Sequence, residues 1–208
     1  MTKASPEITV VVTGVANLAS VLAGWKRLGL ATRVTEDPED VERADFVELP
    51  GVGAFGAAMD RLRATGLDQA LVRRVQSDRP TLAICVGLQV LCDASEESPG
   101  VAGLGLVPGT VQRFPDHVRI PQFGWNQVQN PAGGPIVDGY AYFANSYRLP
   151  LAPAGFAAAT SDHGGAFVAA IWRGNMLACQ FHPELSGAWG LGLLDRWVRG
   201  RTGKGGSP

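Results

Sequence analysis

Apolar positions in the first half of this chain alternate between two periods. Residues 8–13 form a short β-branched run that predicts a first strand, ended by Thr13-Gly14. Asn17 can cap the helix that follows. In it Leu18, Val21, Leu22, Trp25 and Leu28 recur at helical spacing until Gly29. Strands two and three are expected over 32–35 and 44–49, the latter ended by Pro50-Gly51. Helices are expected over about 54–63 and 67–76. Pro80 then precedes a fourth buried strand over 81–85, and 87–92 opens another helix.

Strand alternating with helix is the pattern of parallel βαβ units. Runs such as Val10-Val11-Val12 and Leu82-Ala83-Ile84 are apolar on both faces, which suits a sheet covered on both sides. The second half reads differently. Strand-like runs at 107–114, 124–129, 140–144, 155–160, 166–172 and 176–181 are separated by Pro and Gly. The last helix, over 188–199, carries Trp189, Leu193, Leu194, Trp197 and Val198 on one face. The fold class is therefore α/β: one domain over 1–199 with a central mixed, mostly parallel sheet flanked by helices. The Gly-rich stretch 200–208 is expected to be a flexible tail.

Composition narrows the function. The chain has 208 residues, 46% of them hydrophobic, with 18 Lys+Arg against 19 Asp+Glu. That balance argues against nucleic acid held by bulk charge and against a polybasic membrane contact. No apolar run approaches the roughly 20 residues of a membrane helix, and the N-terminus reads as a strand, not a secretion signal. Three cysteines, Cys85, Cys92 and Cys179, include no CxxC pair and no histidine at metal-ligand spacing. Neither a disulfide framework nor a structural zinc site is expected, no cofactor is implied, and a reducing cytoplasm is the simplest address.

The sharpest candidate for chemistry is Cys85, within Leu82-Ala83-Ile84-Cys85-Val86-Gly87-Leu88-Gln89 at a strand-to-helix junction. A nucleophile elbow needs that turn and small residues two before and two after the nucleophile, here Ala83 and Gly87. A lone cysteine after an apolar strand is more often a small core residue, so a partner base is required. His117 and His163 sit in turn-like surroundings. His182, in Phe181-His182-Pro183-Glu184, leaves the last strand with a carboxylate two residues on. Glu184 can orient the imidazole if Pro183 bends the chain. Cys85 and His182 both fall at carboxyl ends of strands, where α/β sheets gather their active residues.

Pro50-Gly51-Val52-Gly53-Ala54-Phe55-Gly56 contains a formal GxGxxG, but it does not follow the first strand as a dinucleotide fingerprint does. The better reading is a flexible backbone segment whose N–H groups can face a developing oxyanion.

Together, the elbow cysteine, the His-Pro-Glu near the C-terminus and the upstream PGVG resemble the class I (triad) glutamine amidotransferases, whose fold is flavodoxin-like. Within that class the chain is most similar to the glutaminase subunits of imidazole glycerol phosphate synthase. The supporting segments include 14–18, 49–53, 84–91, 95–101, 103–107, 124–126, 142–147 and 181–187. The resemblance implies Cys85 as nucleophile, His182 as base and Glu184 as its orienting carboxylate. It implies an oxyanion segment at Gly51, Val52 and Gly53, with the Val52 and Val86 N–H groups as donors. Gln89, Glu97, Ser146 and Tyr147 would hold substrate glutamine. The implied partner is a (β/α)₈-barrel cyclase that receives the ammonia, forms a heterodimer with the glutaminase and makes imidazole glycerol phosphate and AICAR in histidine biosynthesis.

Several positions depart from the family pattern. Leu185 stands where a Lys or Arg often reaches toward the cyclase. Gln122-Phe123 replaces a frequent His-Met, Asn145 a frequent His, and Ala83 the usual first elbow glycine. Val12-Thr13-Gly14 lacks a common acidic residue. Three alternatives stay open: a glutaminase of another pathway (pyridoxal phosphate or anthranilate synthase), a stand-alone thiol hydrolase on a related fold, and a regulatory module without turnover.

Overall fold

The computed structural model describes residues 6–12 and 17–202, with side chains through residue 200. The expected strand end at Thr13-Gly14, most of the 14–18 segment and residues 203–208 of the expected tail lie outside the described residues.

The first half runs β1 (Glu7–Val11), α1 (Leu18–Arg27), β2 (Ala31–Thr35), α2 (Pro38–Arg43) and β3 (Phe46–Leu49). It continues with α3 (Phe55–Thr65), α4 (Leu67–Gln76), β4 (Thr81–Ile84) and α5 (Val86–Leu91). Asn17 caps α1 by accepting from the Ser20 N–H, and Gly29 leaves it at φ 72°. The helix α2 has no counterpart in the apolar pattern, because Val41 is its only buried residue. Its signal is at the cap: Asp37 accepts from the Glu39 N–H at 2.8 Å, and Pro38 fills the first turn.

Seven strands form the main sheet in the order β10-β11-β12-β4-β3-β1-β2. Pairings from β12 through β2 are parallel; β10 (Ala157–Asp162) and β11 (Ala166–Arg173) are antiparallel additions next to β12 (Met176–Cys179). Every residue of β3, β4 and β12 is buried, as a doubly covered sheet requires. After β2 the chain reverses direction across the sheet. Right-handed crossovers therefore put α1 on one face and α2, α3 and α4 on the other. On the α1 side, Trp25 packs 6.1 Å from Trp197 of α6 (Gly187–Thr202), and Trp197 meets Phe46 edge-on at 5.4 Å.

The remaining strands build small satellite sheets. β5 (Cys92–Ser95), β6 (Val107–Arg113) and β9 (Tyr147–Arg148) form one, and β7 (Gln122–Val128) pairs with β8 (Gly139–Asn145) in another. β5 and β9 carry no period long enough to read in sequence. α6 continues through Thr202, past the Arg199 boundary expected from its apolar face. The last strand stops at Cys179; beyond it the Gln180 N–H donates to the Ala169 carbonyl and the His182 N–H to the Tyr142 carbonyl. That second bond ties β8 to the carboxyl ends of β4 and β12.

One guanidinium braces the opposite end of the sheet. Arg74 of α4 is 1% exposed and donates to the carbonyls of Val41, Ala44, Asp45 and Pro80 and to the Thr81 hydroxyl. It holds the entry to β3, which begins at Phe46 and not at Ala44 as expected. Burial, with neighbouring Arg79, lowers Arg74 to about 10, still charged at neutral pH. Arg74→Met is expected to leave these carbonyls without a donor and cost on the order of 3 kcal/mol. Thermal melting should show this as a drop of roughly 6–12 °C.

Candidate active site

The candidate site lies where β3, β4 and β12 end together. Parallel register sets Leu49 beside Ala83 and Ile84 beside Cys179, so the chain leaves all three strands on one rim. Cys85 follows β4 at φ 55°, ψ −110°, a left-handed conformation that non-glycine residues rarely adopt. Its N–H donates to the Cys179 carbonyl at 2.7 Å. The elbow closes only over glycines. A Cβ on Gly87 would stand 2.2 Å from the Leu49 carbonyl oxygen, and one on Gly51 would stand 2.7 Å from the Gly87 nitrogen.

His182 reaches the same point from β12. Alternation along the extended segment sends Gln180 and His182 to one side and Phe181 into the core, against Phe143 and Trp189. Pro183–Leu185 forms a single 3₁₀ turn that folds Glu184 back under the ring. The imidazole Nδ1 donates to Glu184 Oε1 at 2.9 Å, leaving the other ring nitrogen for its hydrogen bond with Cys85. Burial opposes a charge on this ring, but its hydrogen bonds to Cys85 and Glu184, and the charges on both, outweigh burial. His182 is pushed up to about 10. The imidazole is therefore protonated at neutral pH, beside the Cys85 sulfur.

Cys85 and His182 line a cavity of about 240 Å³ together with Val52, Gly53, Val86, Gln89, Glu97, Ser146 and Tyr147. Ten of the eleven residues proposed from sequence therefore either line this cavity or, as Glu184 does, brace it from behind. Gly51 packs beneath the elbow. Glu97 Oε2 accepts from the Phe55 N–H at 2.7 Å at the start of α3, and the Ser98 hydroxyl accepts from the Gly56 N–H at 3.0 Å. Loop 95–98 thus anchors the far end of the glycine segment. Val86 differs from the sequence expectation. Its N–H donates to the Gly51 carbonyl at 3.3 Å, so in this conformation it is engaged within the backbone and does not face the cavity.

Three features were not read from the sequence. Ala144 and Asn145 complete the lining. Gln180, fully buried, bonds both Gln89 and Cys85. Glu48, 1% exposed in the middle of β3, accepts from the Trp25 indole N–H. Only long-range strand pairing brings the last two near the site, and neither carries a local sequence signal. Among the described residues no cluster of His, Cys, Asp and Glu could hold a metal, and no helix is long and apolar enough to cross a membrane.

Comparison with known proteins agrees with this geometry. Residues 26–140 match a family model described as a CobB/CobQ-like glutamine amidotransferase domain. The imidazole glycerol phosphate synthase subunit HisH of Syntrophotalea carbinolica is 43% identical, the match covering 91% of this chain and 98% of the relative. The chain belongs to the HisH family. The HisH subunit of Methanothermobacter thermautotrophicus is 42% identical over 92% of this chain and 97% of its own. The chloroplastic hisHF protein of Arabidopsis thaliana is 40% identical over 92% of this chain, which covers only 34% of that relative. Solved structures share the fold at lower identity. A crystal structure of a glutamine amidotransferase superposes at TM-score 0.75 with 18% identity, covering 92% of this chain and 97% of the other. The PurLQS structure from Thermotoga maritima gives 0.74 with 14% identity, covering 95% and 99%.

Glu48 places an unusual buried carboxyl group behind the site of this HisH-family chain. Burial raises its carboxyl from an ordinary 4.5 to about 8, against the Trp25 N–H, which favours the ionised form; Glu184 adds to the rise and His182 opposes it. The unfolded chain therefore releases a proton near pH 4.5 that the folded chain keeps until about pH 8. Stability falls as pH rises through that window. Glu48→Gln keeps an acceptor for Trp25 and removes the titration. The variant should melt close to wild type at pH 4.5 and several degrees higher at pH 8, a gain on the order of a few kcal/mol.

Proposed function

We propose that this chain hydrolyses glutamine to glutamate and ammonia through Cys85, His182 and Glu184. The ammonia passes to a (β/α)₈-barrel cyclase subunit of imidazole glycerol phosphate synthase, which forms imidazole glycerol phosphate and AICAR in histidine biosynthesis. The observation that carries this reading is the hydrogen-bonded sequence Cys85, His182, Glu184, buried at one end of a small cavity in a chain 43% identical to a HisH subunit.

The chemistry follows from the residues. The Cys85 thiolate attacks the side-chain amide carbon of glutamine. His182, already protonated, delivers its proton to the departing ammonia. Glu184 holds the ring's tautomer and stabilises the imidazolium through each turnover. Water, activated by the now neutral His182, then hydrolyses the glutamyl thioester. Gln89, Glu97, Ser146 and Tyr147 surround the cavity where the amino-acid end of the substrate would lie.

The tetrahedral oxyanion needs N–H donors, and one donor is worth about 3–4 kcal/mol of barrier. With Val86 N–H bound to the Gly51 carbonyl, the Gly51-Val52 peptide must turn over to free Val86 and present the Val52 N–H. Gly51, without a Cβ, and Gly53, at φ 96°, permit that rotation. A glutaminase held this way stays slow until a docked partner moves the segment. The exposed rings of Phe123 (70%), Trp125 (59%) and Tyr140 (60%) on the β7–β8 pair offer an apolar face for the barrel. Leu185, after the His182 turn, is apolar where an ion pair would otherwise form, so this contact relies more on apolar burial. That the Arabidopsis relative extends far beyond the length matched here fits a fusion of both activities. Retaining ammonia between subunits matters, because ammonia released to water is protonated and no longer nucleophilic.

Glutamine hydrolysis assayed with and without the cognate barrel subunit and its nucleotide substrate tests the reading; strong stimulation is expected, and a rate indifferent to the barrel would refute the partnership. Cys85→Ala should abolish glutamine-dependent synthesis by the complex yet leave ammonia-dependent synthesis intact. His182→Ala should lower glutamine turnover by several orders of magnitude; near-normal turnover would exclude it as the base.

A further inference from the structure

A chain of buried side-chain amides runs from the substrate cavity to the sulfur. The Tyr147 carbonyl accepts from Gln89 Nε2 at 3.2 Å, and the same nitrogen donates to Gln180 Oε1 at 3.0 Å. Gln180 Nε2 in turn donates to Cys85 Sγ at 3.7 Å. Each amide's orientation follows from the one before it. A backbone carbonyl can only accept, so the Gln89 nitrogen must face Tyr147. Its second N–H then requires an oxygen on Gln180, which turns the Gln180 nitrogen toward the sulfur. Gln180 cannot flip to present its carbonyl to Cys85 without setting two oxygens, or two donors, against each other along the chain.

We propose that Gln180 is a further catalytic residue: an N–H donor, fixed through Gln89, that stabilises negative charge on the Cys85 sulfur in addition to the contact His182 makes with it. Gln180 is 0% exposed and Cys85 is 4% exposed, so water does little to solvate the anion. In such surroundings a hydrogen bond to the charged form counts for more than in water. The donor also leaves the proton balance of the reaction untouched, because an amide neither gains nor loses a proton between thiolate, thioester and product. With both Gln89 N–H groups engaged, its Oε1 is the atom left to accept from a ligand in the cavity. Occupancy of the cavity and strength of the donor at sulfur are thereby linked. The effect on turnover rests on the glutaminase reading; the effect on the sulfur does not.

The test reads the sulfur directly. The rate of Cys85 carboxamidomethylation by iodoacetamide is followed by mass spectrometry against pH, on the full chain. Cys92 and Cys179 are buried, which pushes Cys92 up to about 12 and Cys179 well above its ordinary range, so the reactive signal belongs to Cys85. The titratable groups around Cys85 are His182, with Glu184, Glu48 and Cys179 behind it, and Glu97 and Tyr147 across the cavity; none of them is substituted in the variants. Gln180→Met removes the donor at similar volume and should move the alkylation midpoint up by about one pH unit or more. The rate at neutral pH should drop about tenfold, with circular dichroism showing the fold retained. Should that variant fold poorly, Gln180→Glu keeps the shape and replaces the donor by a carboxylate, and its midpoint should rise at least as far. Gln89→Met, which releases the Gln180 amide to rotate, should give a smaller shift in the same direction. A wild-type midpoint in both Gln180 variants overturns the proposal. In the barrel complex, Gln180→Met should lower kcat with KM little changed. If the midpoints shift while even the wild-type complex fails to hydrolyse glutamine, the glutaminase reading falls and the sulfur–amide contact stands.

Discussion

A cysteine at φ 55°, ψ −110° stores roughly 1–3 kcal/mol of backbone strain, and the rest of the candidate site depends on that turn being held. Four contacts hold it. The Cys179 carbonyl takes the Cys85 N–H, and the Gly51 carbonyl takes the Val86 N–H. The Leu49 carbonyl crosses where a side chain on Gly87 would stand, and Gly51 itself lies against the Gly87 nitrogen. One of these contacts comes from β12 and three from the end of β3 and the segment after it, so the elbow is fastened on both sides by the strands flanking β4. The consequence is a sulfur lifted to the rim of the sheet, with its backbone unable to relax.

The electrostatics behind the turn follow from burial. Glu184, Glu48 and Cys179 share a dry space beneath His182, and the imidazole is the group among them that gains from holding a positive charge. Glu48 and Cys179 stay neutral because an ionised form there would be poorly solvated. That leaves Glu184 to balance the ring, through one hydrogen bond across a single 3₁₀ turn. Above the sulfur the environment is made of dipoles instead: the Gln180 amide, the glycine-segment peptides and the start of α5. Dipoles suit a site whose charge moves during turnover, since their orientation is fixed before the charge arrives.

The glycine segment joins these parts to the outside. Its near end is held at the elbow by Val86, and its far end at Phe55 and Gly56 by Glu97 and Ser98. Between them lie Val52 and Gly53 on the cavity wall. Loop 95–98 is therefore joined to the peptides beside the sulfur through the Phe55 and Gly56 N–H groups and the short glycine segment between. The Tyr142 carbonyl of β8 accepts from the His182 N–H, which joins the pair carrying the exposed rings of Phe123, Trp125 and Tyr140 to the backbone at His182.

Much of this architecture was legible in the amino-acid order because it is local. The helical repeat of Leu18, Val21, Leu22 and Trp25, the apolar runs of β1, β3 and β4, and the Gly87 that an elbow requires each follow from steric and hydrophobic rules acting within a few residues. Elements lacking such a period were invisible: α2 with one buried side chain, and the short β5 and β9. The His182–Glu184 pair was legible because a proline between them restricts the turn to few shapes. What tertiary structure alone decided is which distant groups meet. Register between β4 and β12 brings Gln180 to Cys85, ninety-five positions apart, and packing of α1 on β3 sets Trp25 against Glu48. It also decided that the Val86 N–H turns to Gly51 instead of the cavity. No local rule reaches those contacts, because a buried amide, acid or peptide plane takes its orientation from whichever donors and acceptors the folded chain leaves beside it.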